Sequence, residues 1–226
     1  MHLDNERRLI TGSNHEILEH LINTEYGAHS IIVYPNIQTL RETYSKYVKR
    51  QLEDNNEIVV ILPYYETIDK VRKTLTDGFV TIADGNDAAA AAVNDNESNN
   101  VIDVGKYEKE GSLMIIDSVK GYFGSDSDYE GEDRLMSFFK QLVKKAESLG
   151  KDGVSVIADL GSFYHHQSIN ATKKLFEHEL SLPSKYEGMK FKGFCAYHKA
   201  DFDRRFTEEQ KQKLLQHHSK ALVIAS

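Results

Sequence analysis

Residues 29–35, His-Ser-Ile-Ile-Val-Tyr-Pro, lead directly into a helix-forming stretch. An apolar run of this length followed by an amphipathic segment reads as a strand of a parallel sheet and its crossover helix. In α/β folds that handle nucleotides, the turn after such a strand carries the phosphate-binding loop. Here that turn is Pro35-Asn36-Ile37-Gln38-Thr39, with no glycine and no lysine, and GxxxxGK[ST] occurs nowhere in the chain. The architecture is therefore far more legible than the chemistry.

Apolar strands alternate with amphipathic helices from there on. Ser13-x-x-Glu16 is a capping box before a short helix through Ile17, Leu18, Leu21 and Ile22. Thr39-x-x-Glu42 is a second box, and Leu40, Tyr44, Tyr47, Val48 and Leu52 predict a helix over 39–53. The run 58–62 is continuously apolar, as a strand buried on both faces should be. A short helix over 67–75 follows, then a short strand at 79–82. Further strands are expected at 113–117, 154–159, 192–197 and 221–225. Helices are expected at about 132–149, at 170–181 through Leu175, Phe176 and Leu180, and after the cap Thr207-x-x-Gln210. This alternation implies a three-layer α/β sandwich with a mostly parallel sheet. Residues 1–24 are expected to form a loosely docked lead-in over 1–12 and a short helix, and 25–226 a single domain. Residues 84–100 and 124–133, rich in Asn, Asp, Gly and Ser, read as mobile surface insertions with little to bury.

Several function classes are disfavoured at once. A net charge of −7 with no block of Lys and Arg argues against nucleic acid as the main partner. No apolar run approaches the roughly 18 residues needed to span a bilayer, and the polar start MHLDNERRLI is no secretory signal. The single cysteine, Cys195, excludes an internal disulfide and suits a reducing, cytoplasmic setting. Asp126-x-Asp128-x-Glu130-Gly131 has Ser137 where a calcium loop needs its bidentate Glu, so it is expected to be a solvated loop.

Ligands of such sheets bind beyond the carboxyl ends of the strands. The segments expected there are 35–38, 64–66, 117–123, 159–166 and 197–203, rich in Tyr, Asp and His. Tyr34, immediately before the first of them, and Asp117, Tyr122, Asp159 and Tyr197 within them are the polar candidates. Asp117 and Asp159 end apolar strands as Mg²⁺-holding carboxylates do, but without a phosphate loop. The pairs His165-His166 and His217-His218 each present only one ring to a given face of a strand. No CxxC or HxxxH spacing supports zinc, and no metal site or cofactor is expected. Cys195 lies in an apolar strand, where a thiol packs as a small hydrophobe, so no catalytic role is assigned to it.

Two stretches together carry a family resemblance. One is 29–35 with its helix and the strand 58–62; the other is Gly193-Phe-Cys-Ala-Tyr197, Asp201–Phe206 and His217-His218-Ser-Lys-Ala-Leu-Val-Ile. With 113–122 between them, they resemble the MEDS domain, a sensory domain of the DcmR type found in archaea and bacteria. The resemblance implies a RecA/KaiC-like fold that has lost its phosphate loop, and a role in sensing small organic compounds. It implies a histidine of the first family strand and a cysteine near the end as ligand contacts, here His29 and Cys195, with Tyr197 and one of His217 or His218 on the same pattern. The helix and turn after that strand have Gln51-Leu52 and Asn56 where the family usually carries glycines, and the insertions at 84–100 and 126–133 depart from its pattern.

The expected function is a non-enzymatic sensory or regulatory signalling module. It binds a small organic molecule or a signalling partner protein at the carboxyl edge of its sheet, with no attached output segment, no nucleic acid and no membrane. The alternatives are a degenerate RecA/KaiC-like nucleotide binder or ATPase without a Walker A motif, a hydrolase pairing Asp159 with His165 or His166, and a protein that forms oligomers through its core.

Overall fold

The computed structural model describes residues 9–78, 100–124, 132–165, 171–182 and 186–225. The expected strand at 79–82, nearly all of the insertion at 84–100, most of that at 124–133, and His166 lie outside them. Seven parallel strands form one sheet: β1 Leu9–Gly12, β2 His29–Tyr34, β3 Ile58–Leu62, β4 Leu113–Ile115, β5 Val154–Asp159, β6 Phe191–His198 and β7 Lys220–Ile224. Their spatial order is β1-β7-β2-β6-β5-β3-β4.

Ten helices accompany them among the described residues: α1 Asn14–Ile22, α2 Ile37–Glu53, α3 Ile68–Asp77, α4 Val104–Glu110, α5 Ser118–Phe123, α6 Glu132–Ser148, α7 Gly161–His165, α8 Ala171–Ser181, α9 Lys199–Arg205 and α10 Glu208–His217. Alternate residues of each central strand enter opposite cores. Ile32, Tyr34, Val59, Ile61, Phe194 and Leu222 pack under α1, α2, α3 and α4. Ile31, Val33, Val60, Val156, Cys195 and Tyr197 pack under α5 to α10. The α/β sandwich predicted from the alternating pattern is therefore present, with every strand pair parallel.

The crossovers after β2 and β3 take one face, and those after β5 and β6 take the other. The chain therefore leaves the adjacent strands β2 and β6 toward opposite faces. Such opposite exits, which the neighbours β5 and β3 also show, mark the switch points where open parallel sheets bind ligands.

Local readings need correction at several places. Residues 9–12 are an edge strand rather than part of a loose lead-in, with Leu9 to Gly12 in register with Ala221 to Ile224. Only one side of that edge is covered, so its burial alternates between exposed and half-buried and no apolar run marks it. Helix α2 starts at Ile37, because Asn36 and not Thr39 is its cap: the Asn36 side chain accepts the Thr39 N–H at 2.9 Å. The boxes at Ser13 and Thr207 are both formed. Residues 118–123, 161–165 and 199–205, read as connections, are short helices. Fewer than two turns carry no periodicity to detect. The inward face of α8 is Leu175, His178 and Glu179, while Phe176 and Leu180 are only half-buried.

Candidate functional site

The eight candidate residues divide between two places. The first is the carboxyl edge at these switch points. The Tyr34 hydroxyl, at the end of β2, donates to Asp159 Oδ2 at 3.0 Å, across β6 from the end of β5. The other Asp159 oxygen accepts the Gly161 N–H at 2.9 Å. Burial pushes the Asp159 carboxyl up to about 7, against the hydrogen bonds from the Gly161 backbone, the Tyr34 hydroxyl and the Tyr65 backbone that favour its ionised form.

Around this pair lie residues the sequence reading placed only by segment. The Tyr65 hydroxyl donates to Asp201, which Arg204 also holds at 2.6 Å. Glu66 is held by Arg41 at 2.6 Å. The rings of Tyr34 and His198 meet edge to face at 5.5 Å. Gly161 is glycine for a reason of space: a Cβ there would lie 2.5 Å from the Tyr64 ring and 2.7 Å from the Tyr65 ring. Gly161→Ala is expected to destabilise by about 1–3 kcal/mol through overpacking. Urea unfolding measures it, and a loss under a few tenths of a kcal/mol refutes the steric argument.

Asp117 and Tyr122 have structural places nearby. Asp117 caps α5, accepting the Lys120 N–H at 2.9 Å. Tyr122 is buried, with its ring 4.8 Å from Phe163 and 5.7 Å from His178. At the same edge a hollow of about 200 Å³ opens between Leu62, Ile116, Lys120, Gly121, Leu135 and Phe138. It is mainly apolar, with one ammonium on its wall. The side chain of His165 lies outside the described residues, as His166 does, so the carboxylate–histidine pairing with Asp159 is not described here.

The second place is inside the core, away from the carboxyl edge. His29 opens β2 and Cys195 is central in β6; pairing of His29 with Gly193 and Ile31 with Cys195 puts both side chains on the same face. His29 Nε2 lies 3.0 Å from Cys195 Sγ, across 166 positions of sequence. It also lies 3.2 Å from Glu179 Oε2 of α8. His218, just before β7, brings its Nε2 to 2.8 Å from the same oxygen. The Tyr197 hydroxyl donates to Glu179 Oε1. His29, Glu179, Cys195 and His218 are all at most 5% exposed.

The electrostatics of this cluster follow from its burial. Burial opposes ionisation of Glu179, but the charges and hydrogen bonds of His218 and His29 outweigh it and hold the carboxyl well below its usual range. Burial, then His218, drives His29 down to about 4. Burial, with Glu179 beside it, pushes the Cys195 thiol well up. A protonated, enclosed thiol is a poor nucleophile.

His29, Cys195 and Tyr197 were expected as site residues, and the fold gathers them. His218 rather than His217 is the ring that converges with them. Glu179 was missed. The signals were present: Glu179 stands four residues after the buried Leu175, and His218 four after the buried Leu214, so each continues an inward helical stripe.

The sequence model of the family described as "MEDS: MEthanogen/methylotroph, DcmR Sensory domain" matches residues 79–219, more than half of the chain. The chain belongs to the MEDS family. The matched span contains Asp159, Glu179, Cys195, Tyr197 and both members of the His217-His218 pair; β2, with His29, precedes it. The fold of this MEDS protein is similar to that of a KaiC-like protein from the hyperthermophilic archaeon Pyrococcus horikoshii OT3, with a TM-score of 0.51 at 9% identity over 88% of this chain and 71% of the other. That likeness concerns the fold alone. No curated protein matches the chain. Among the described residues, no helix is long and apolar enough to cross a membrane.

Proposed function

We propose that this MEDS protein is a sensory module that binds a small organic molecule at the carboxyl edge of its sheet and passes the signal to a partner protein. The observation that carries the reading is the hollow between Leu62, Ile116, Lys120 and Phe138, about 200 Å³ in volume. It is smaller than the roughly 300–1,000 Å³ of pockets for drug-sized ligands. It suits a compact, mainly apolar molecule with one polar or anionic group to meet Lys120.

The same edge is poorly suited to a nucleotide. The turn after β2 is closed by the Asn36 cap. Its two nearby arginines are engaged, Arg41 with Glu66 and Arg204 with Asp201. Phosphates brought to the turn after β2 would meet the carboxylates of Glu66, Asp159 and Asp201, which lie away from the Lys120 hollow's lining.

The test is a thermal-shift screen with short-chain and halogenated organics beside Mg²⁺-ATP. A ligand of the folded state at a hundredfold excess over Kd stabilises by about 2.7 kcal/mol. The expected result is a shift with an organic compound that disappears in Ile116→Phe, whose ring fills the hollow. A shift with Mg²⁺-ATP alone, or with nothing in the panel, overturns the reading.

A further inference from the structure

We propose that His29, Glu179, Cys195 and His218 form a metal centre for a thiolate- and imidazole-preferring divalent cation of the Zn²⁺ type, separate from the hollow at the sheet edge. One donor atom from each residue lies within 4.8 Å of all the others. Tetrahedral bonds of about 2.0–2.3 Å place neighbouring donors roughly 3.3–3.8 Å apart. Three of the donor pairs stand at 2.8–3.2 Å, so taking up an ion would require these side chains, carried by β2, α8, β6 and the entry to β7, to move apart.

The hydrogen bonds around the cluster match what a metal requires. His218 Nδ1 lies 2.6 Å from the Leu214 carbonyl oxygen. A carbonyl only accepts, so Nδ1 carries the proton. His218 Nε2 then turns toward Glu179 Oε2 at 2.8 Å. An imidazole lone pair and a carboxylate lone pair face each other there unless a proton, giving a buried imidazolium–carboxylate pair, or a metal ion lies between them. A histidine that donates its far N–H to a backbone carbonyl is the usual support of a metal ligand. Tyr197 supplies the matching support for the carboxylate, donating to Oε1 and leaving Oε2 to point at the two rings. Nothing among the described residues holds a proton on His29 Nε2 by claiming Nδ1, which has no hydrogen-bond partner there.

Charge balance points the same way. Another buried carboxylate, Glu57, is answered by the buried ammonium of Lys192 at 2.9 Å, and Asp201 by the Arg204 guanidinium at 2.6 Å. Glu179 has no such partner; among the described residues its ion-pair contacts are His29 and His218 alone. A divalent cation would be neutralised by one thiolate and one carboxylate, with two neutral imidazoles completing four ligands. On binding, the Cys195 proton and the proton between His218 and Glu179 leave, so the buried charge is the same before and after. Thiolate with imidazole favours Zn²⁺ or a neighbouring transition metal over Mg²⁺ or Ca²⁺.

Co²⁺ is the probe. The full chain is produced in cobalt-supplemented medium and, separately, unfolded and refolded with Co²⁺ or Zn²⁺, so that burial of the site cannot block loading. The expected result is about one metal per chain, with the d–d bands of tetrahedral Co²⁺ and a near-ultraviolet thiolate-to-cobalt band. Cys195→Ser removes the thiolate band. Tyr197→Phe weakens metal retention against a chelating dye by about 10–100-fold while the spectrum keeps its shape. Circular dichroism confirms that each variant folds; where one does not, X-ray absorption of the wild-type protein reads the sulfur ligand directly. Folded wild-type protein that holds no metal by either route, or a cobalt spectrum unchanged in Cys195→Ser, overturns the proposal.

Discussion

Glu179→Ala is expected to remove about 3–5 kcal/mol of stability, the cost of breaking a buried ionic group by deleting one member. The carboxylate is fully buried and serves His29, His218 and Tyr197 at once. Its removal strands their donors in the core between the sheet, α8 and α10. The expectation holds with a metal bound or without one, since either cation loses its buried counter-charge. Urea unfolding with the midpoint lowered and the slope unchanged is the readout. Glu179→Gln, which keeps the volume and one acceptor oxygen, should lose less. A loss below about 1 kcal/mol in Glu179→Ala would mean that the cluster is an accident of packing.

The stability contributed by Asp159 is expected to fall as pH rises, by roughly 3 kcal/mol between about pH 5 and pH 8. Burial raises this carboxyl to about 7 in the folded protein from an ordinary value near 3.8. The native state therefore holds the proton more tightly than the unfolded chain does. The stabilisation is complete below the unfolded pKa, and it is lost as pH climbs through the folded one. Glu179 has the opposite sign: its depressed pKa gives stability that is present above the carboxylate range and lost on acidification below it. Asp159→Asn separates the two. It retains an acceptor for the Gly161 N–H and a polar partner for Tyr34, but it cannot ionise. The difference between wild type and Asp159→Asn across pH isolates the Asp159 contribution. A flat difference refutes the assignment.

Much of the architecture was legible because parallel sheets buried on both faces leave a strong mark. The runs at 29–34, 58–62 and 154–159 are apolar enough to be read directly, and the helices between them show their inward stripes. The short elements were not legible. Helices α5, α7 and α9 are too brief for a period, and β1 is an edge strand with one covered side. Its pairing with β7 joins residues more than 200 positions apart, which no local pattern encodes.

The candidate residues show the same division. The chain's own pattern marks His29, Cys195 and Tyr197 through the family resemblance, and Tyr34 and Asp159 through their places at strand ends. It also establishes the missing phosphate loop, the alternation that makes a parallel sheet, and membership in a family of sensory domains. Only the tertiary structure decides which of them meet. The parity of β2 and β6 and their register set His29 beside Cys195 in the core, while Tyr34 points to the opposite face and meets Asp159 at the sheet edge. The docking of α8 and α10 then adds Glu179 and His218. Helical periodicity placed those two on inward faces, but which atoms they would find there depended on crossovers that bring four distant segments to one point.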